Sequence, residues 1–120
     1  MAAKDELGRA GEQRAAEHLT TLGYEILGRN WRCPQGEIDI IARRGRELAV
    51  VEVKTRRALG FGHPFEAIDA RKRERLWRLA YAWAAEHPDL ARGGEIRLHA
   101  IAIVGVHPEK GALEHLADLR

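Results

Sequence analysis

Hydrophobic and polar positions along the 120-residue chain alternate with two different periods, and the switches between them mark the elements. Over 5–22, Leu7, Gly11, Ala15, Leu19 and Leu22 recur at three- and four-residue spacing, which predicts an amphipathic helix stopped by Gly23. Residues 24–32 (YEILGRNWR) read as a first strand, followed by a turn at Cys33-Pro34-Gln35-Gly36. The β-branched, apolar runs 37–42 (EIDIIA) and 47–55 (ELAVVEVKT) predict two further strands, with a reversal at 43–46 (RRGR) where glycine eases the turn. A glycine-rich loop, 57–64, precedes a long helix predicted over 65–87 and ended by Pro88. A fourth strand is expected over 95–104 (EIRLHAIAIV) and a short edge strand over 112–117. The order α-β-β-β-α-β-β implies a single α/β domain spanning 1–120, with a central mixed β-sheet flanked by helices.

The same pattern identifies charges on faces that the core should own. With strand side chains alternating, Ile38, Ile40 and Ala42 are expected on one face of the second strand and Asp39 on the other with Glu37 and Ile41. On the third strand Ala49, Val51 and Val53 share one face, and Glu52 and Lys54 share the other with Leu48 and Val50. A carboxylate inside such runs is costly unless it is paired or holds a metal. If the two strands form a hairpin, Asp39 and Glu52 approach each other, and a divalent cation would relieve their repulsion. Oxygen-only donors suit Mg²⁺, which commonly takes one or two carboxylates and keeps several waters. Glu12 falls inside the apolar arc of the first helix. Lys72 sits in the stripe Ile68, Leu76, Leu79, Trp83 of the later one. Glu12 is a candidate third carboxylate and Lys72 a candidate phosphate contact. Taken alone, each also fits a side chain that snorkels to solvent.

Composition changes this picture little. The net charge is +2, but the positive charge consists of 16 Arg against 4 Lys, clustered at 43–46, 56–57 and 71–78. Arginine's planar fork matches phosphate, so Arg43 and Arg56 join Lys72 as candidate nucleic-acid contacts. One cysteine, Cys33, forms no internal disulfide, and no Cys/His spacing suggests a zinc site. His18, His87, His99, His107 and His115 show no metal-ligand spacing and read as background, while His63, beside Pro64 in the glycine-rich loop, is either a lining residue of the site or, more simply, a turn residue. Trp31, Trp77 and Trp83 read as packing residues. The chain has neither an apolar run long enough to cross a bilayer nor an apolar leader at its start, so a cytoplasmic protein without membrane partners is expected.

A carboxylate on one strand and Glu-x-Lys on the next have a clear chemical use. The carboxylates hold Mg²⁺ or Mn²⁺, which activates water for phosphodiester hydrolysis. The lysine, two residues from Glu52 and pointing the same way, orients that water or stabilises phosphate charge.

GEIDIIA (36–42) and VEVKTR (51–56), with GRAGEQRAAEHLTTLGYEILGRNWR before them and GHPFEAIDARKRERL after, resemble the YraN family of small bacterial proteins over about residues 8–104. The resemblance implies the PD-(D/E)xK restriction-endonuclease-like fold, similar to Holliday-junction resolvases. It carries the metal and catalytic positions onto Asp39, Glu52 and Lys54, the helical carboxylate onto Glu12 and the basic helix position onto Lys72. Ile38 stands where the signature's name has proline, and His99, in RLHA (97–100), stands where an aspartate is expected. The implied activity is a metal-dependent endonuclease acting on branched or single-stranded DNA, as a homodimer and alongside repair or recombination proteins. The alternative is a catalytically silent nucleic-acid-binding or protein-adaptor module of the same fold.

Overall fold

A computed structural model describes residues 5–60 and 62–119. Asp5 caps the first helix by accepting from the Gly8 N–H at 2.7 Å, and α1 runs Glu6–Thr21. It ends where the sequence predicts: Gly23 takes φ +92°, a left-handed conformation that costs glycine little, and the chain turns into β1, Glu25–Cys33. Strands β2 (Gly36–Arg44) and β3 (Glu47–Arg56) follow as a hairpin turned at Gly45, φ +61°.

The second long helix differs from expectation at its start. Pro64–Ala67 form a single 3-10 turn, and α2 begins only at Ala70 and runs to Glu86. The reason is local. Asp69 stays extended and its carboxylate accepts from the Lys72 N–H at 2.9 Å, so it caps a new helix rather than continuing an old one. Pro88 opens a further short helix, α3, over Pro88–Ala91. Strand β4 covers Glu95–Val104 and the edge strand β5 covers Ala112–Ala117, both as read from the sequence.

The five strands lie in the order β1-β2-β3-β4-β5. Three neighbouring pairs are antiparallel, while β3 and β4 run parallel with α2 in the connection between them, so the sheet is mixed. Alternation along β3 separates two core layers. Leu48 and Val50 pack with Leu76, Leu79 and Trp83 of α2. Ala49 and Val51 pack with Ala15 and Leu19 of α1. The helices therefore cover opposite faces of the sheet.

Strand β2 breaks the expected alternation. Ile38 packs in the α2 layer together with Ile41, whereas Ile40 and Ala42 pack in the α1 layer. The phase shifts across Asp39, at the point where the β2–β3 ladder stops: its last backbone pair is Ile40 with Val51. Beyond it the Asp39 carboxylate takes the place of a backbone acceptor, receiving the Val53 N–H at 2.8 Å on Oδ2.

Candidate active site

Where β2 and β3 part, the N-terminal half of α1 closes over the gap. The result is an open cleft of about 340 Å³ lined by Glu12, Asp39, Glu52, Lys54, Thr55 and Arg56, with Asp5, Leu7, Gly8 and Val53 completing its wall. Three carboxylates from three elements thus face one space, and all are buried: Glu12 is 2 % exposed, Asp39 7 % and Glu52 5 %. Among the described residues the buried polar or charged side chains are these three and His99, and burying a carboxylate is costly unless it is partnered.

Each carboxylate is positioned by identifiable contacts. The Val53 N–H fixes Asp39. Glu52 is held by two ammoniums: Lys54 Nζ lies 3.3 Å and Lys72 Nζ 3.1 Å from its Oε2. The pairing offsets the cost of burying Glu52, because a buried anion with good partners is far cheaper than a lone one. It also explains why a lysine sits in the apolar stripe of α2. Lys72 spans from the first turn of the helix to β3. Glu12 reaches the cleft because α1 lies against β3 at Gly11, where the absent side chain leaves room for Thr55.

The structure thus brings together five sequence-predicted residues, Glu12, Asp39, Glu52, Lys54 and Lys72, with Arg56 at the rim. It does not bring Arg43 to them. Arg43 lies four residues along β2 from Asp39, about 13 Å away. Its guanidinium is committed to the carbonyls of Gly45, Leu90 and Arg92, at 2.9, 2.6 and 3.3 Å. It braces the far end of the hairpin against the chain after α3. His63 acts as the turn residue expected: its Nδ1 accepts the Phe65 N–H, and its Nε2 meets Glu114 at 2.9 Å.

As a donor set, the carboxylate oxygens of Glu12, Asp39 and Glu52 are hard ligands of the type Mg²⁺ and Mn²⁺ take. Among the described residues no three His, Cys, Asp or Glu side chains close into a cage of their own.

Three histidines that the sequence presents as background form an ordered chain. His18 Nε2 lies 3.1 Å from His115 Nδ1, and His115 Nε2 lies 2.8 Å from His99 Nδ1. His99 Nε2 is 2.6 Å from Glu47 Oε2, while Tyr24 donates to Glu47 Oε1 at 2.7 Å. Burial works to raise the Glu47 carboxyl, but hydrogen bonds from Tyr24 and His99 outweigh it and hold it below its usual value. An ionised Glu47 accepts from His99 Nε2–H. Burial, then the charge of His99, pulls His115 down to about 4. Burial, then Arg14, lowers His18. Burial, then the Glu47 hydrogen bond, pushes Tyr24 up to about 12. Applying the test that found Asp39 to β4 would have flagged His99, a polar residue on a strand face otherwise filled by Ile101 and Ile103. Its partners, 52 and 16 residues away, leave no local signal.

A family model described as "Uncharacterised protein family UPF0102" matches residues 11–103. A UPF0102 protein of Paenarthrobacter aurescens is 47% identical over 116 residues, covering 97% of this chain and 94% of its own. One from Beutenbergia cavernae is 47% identical over 116 residues, covering 97% of each. One from Acidothermus cellulolyticus is 59% identical over 85 residues, covering 71% of this chain and 64% of its own. No helix among the described residues is long and apolar enough to cross a membrane.

Proposed function

The chain belongs to the uncharacterised protein family UPF0102, the YraN family, and from that membership and the geometry of its cleft we propose that it is a metal-dependent nuclease that hydrolyses phosphodiester bonds in branched or single-stranded DNA. One observation carries the reading: three buried carboxylates from α1, β2 and β3 line one open cleft, with two lysines on Glu52 of β3.

Asp39 and Glu52 would hold Mg²⁺ or Mn²⁺, with Glu12 as the accessory ligand. The bound ion would supply Lewis acidity and a water of lowered pKa. The residues do the rest. The Val53 N–H keeps the Asp39 carboxylate turned into the cleft, so it costs little reorganisation to use. Lys54 and Lys72 neutralise Glu52 in the resting cleft. An arriving phosphodiester offers those ammoniums a second anion. Lys54, on the strand itself, is placed to orient the attacking water or stabilise charge growing on the phosphate. Lys72 and Arg56 would hold the flanking backbone without reading sequence. Two copies of the chain, each supplying one cleft, would suit cutting both strands of a junction.

The test is cleavage of labelled single-stranded, duplex, flap and four-way-junction DNA, and of RNA, with Mg²⁺, Mn²⁺ or EDTA, beside Asp39→Ala and Lys54→Ala variants whose folding is checked by circular dichroism. Metal-dependent cutting reduced by about two orders of magnitude or more in both variants is expected. Wild-type rates in both folded variants would remove the proposal. Binding of these nucleic acids with no cutting of any would favour the second reading, a binding module, to which the lysine-saturated Glu52 is also suited.

A further inference from the structure

The outward face of α2 has no partner among the described residues, yet its composition is not that of an ordinary solvent face. From Arg71 to Glu86 it exposes Arg71, Arg75 and Arg78, which at 100° per residue fall within an arc of about 60°. Tyr81 lies one turn past Arg78, about 60° round from it, and Trp77 lies about 40° further round toward the core. Tyr81 is 63% exposed, and its ring stacks on half-buried Trp77, with centroids 5.9 Å apart and planes 26° from parallel. Trp77 rests in turn on the core layer beneath, so the outer ring is supported from below. A bare tyrosine on a surface helix exposes apolar area with nothing to gain from it. A rigid ring flanked by cations is instead suited to a ligand that is both flat and anionic.

Charge and position narrow the ligand. The helix carries five basic residues, Arg71, Lys72, Arg73, Arg75 and Arg78, against Glu74 and Glu86. Glu74 engages only Arg78, in an exposed pair at 3.5 Å that solvent makes weak. Arg75 leans over the β1–β2 turn, its Cδ near Gly36, which widens the basic surface beyond the helix itself. Lys72, in the same first turn of the helix but on its sheet-facing side, has its ammonium on Glu52.

We infer that the Arg71–Arg75–Arg78 face of α2, with the Tyr81–Trp77 stack at its far end, is a binding track for single-stranded nucleic acid that leads to the carboxylate cleft. The arginines neutralise successive phosphates and an unpaired base stacks on Tyr81. A duplex, whose bases are already stacked, cannot use the ring, so the occupant is an unpaired segment. The inference rests on the nuclease reading for the direction of the strand, but not for its existence, because binding is measured without turnover.

The experiment is fluorescence anisotropy of a labelled single-stranded 12-mer in EDTA, with wild type, Tyr81→Ala and Arg71→Ala/Arg75→Ala. The same oligomer bearing abasic sites throughout serves as the ring-blind probe. Stacking of one base is worth about 1–3 kcal/mol, so Tyr81→Ala is expected to weaken binding at least fivefold on the normal oligomer and to leave abasic binding unchanged. The double arginine variant should lower the dependence of log affinity on log salt by about 1.4. Equal affinities of wild type and Tyr81→Ala, or an equal loss on the abasic oligomer, would overturn the track even if the protein cuts DNA. A full effect in a protein that cuts nothing would keep the track and remove the nuclease reading instead.

Discussion

Gly11 determines how closely α1 can approach β3, and through that contact it places Glu12. A Cβ built on Gly11 meets Thr55 Oγ1, with Thr55 Cγ2 at 2.9 Å and Cβ at 3.0 Å. Thr55 is on β3, and α1 sits on a filled core layer, so neither side has a flexible tail that can give way. Two effects oppose each other in Gly11→Ala. Helix propensity favours alanine in mid-helix by about 1 kcal/mol, whereas overpacking a well-filled contact costs typically about 1–3 kcal/mol. The clash is at a secondary-structure junction and wins. Urea unfolding should show Gly11→Ala less stable by about 1–2 kcal/mol rather than more stable. Because relief comes from lifting α1, Glu12 should leave the cleft, and any metal affinity should fall with it. An alanine variant as stable as wild type, with unchanged Mn²⁺ binding, would mean that the contact does not position the carboxylate. The same residue scale holds the least legible feature of the chain. Alternation placed Ile38 with Ile40, but the Asp39 side chain replaces a backbone acceptor and shifts the phase of β2. A period-two reading has no term for a side chain that enters the ladder.

Strands and helices were legible where their pattern is decided by local chemistry, as at Gly23, Gly45 and the bounds of β5. The start of α2 was misplaced because Asp69 looks like one more polar helical residue until its carboxylate is seen capping Lys72. The histidine chain was illegible for a different reason: it joins elements, not neighbours in sequence. His18 on α1, His115 on β5, His99 on β4 and Glu47 on β3, with Tyr24 and Arg44 against Glu47 and Arg14 beside His18, are assembled only by the sheet order. Its consequence belongs to these elements. His115 sits at about 4 in the folded protein, below the ordinary 6.5 of an unfolded histidine. Between those values the unfolded chain binds a proton that the folded one refuses, so stability rises with pH there. The contribution is complete above about 6.5 and is lost progressively as pH falls toward 4. Because His115 is only partly buried, the loss is on the order of 1–2 kcal/mol. Urea unfolding at pH 7 and pH 5 should show wild type losing more stability than His115→Gln by about that amount. Parallel losses in the two proteins would show that the chain does not couple folding to protonation.

At the scale of the whole molecule, the carboxylates come from segments that the fold alone brings together: residue 12 on α1, 39 on β2 and 52 on β3. Sequence spacing could mark each as misplaced in an apolar run but could not show that α1 closes over the gap between two parting strands. Such a cluster has a global thermodynamic signature. Carboxylates buried in one cleft repel one another, and Lys54 and Lys72 lie against Glu52. A divalent ion that binds the folded cleft and not the unfolded chain must stabilise the entire domain, by RT ln(1 + [L]/Kd). At ten times its Kd this is about 1.4 kcal/mol, which for a domain of this size raises Tm by about 5 °C. Thermal unfolding with and without Mn²⁺ should therefore show such a rise in wild type. The rise should vanish in Asp39→Asn, whatever that substitution does to Tm in EDTA, because the readout is the difference between the two conditions. An equal Mn²⁺ shift in wild type and Asp39→Asn would place the ion elsewhere on the surface. No shift in either, at millimolar Mn²⁺, would leave Lys54 and Lys72 as the counter-ions of Glu52 and would turn the reading of the cleft from hydrolysis to binding.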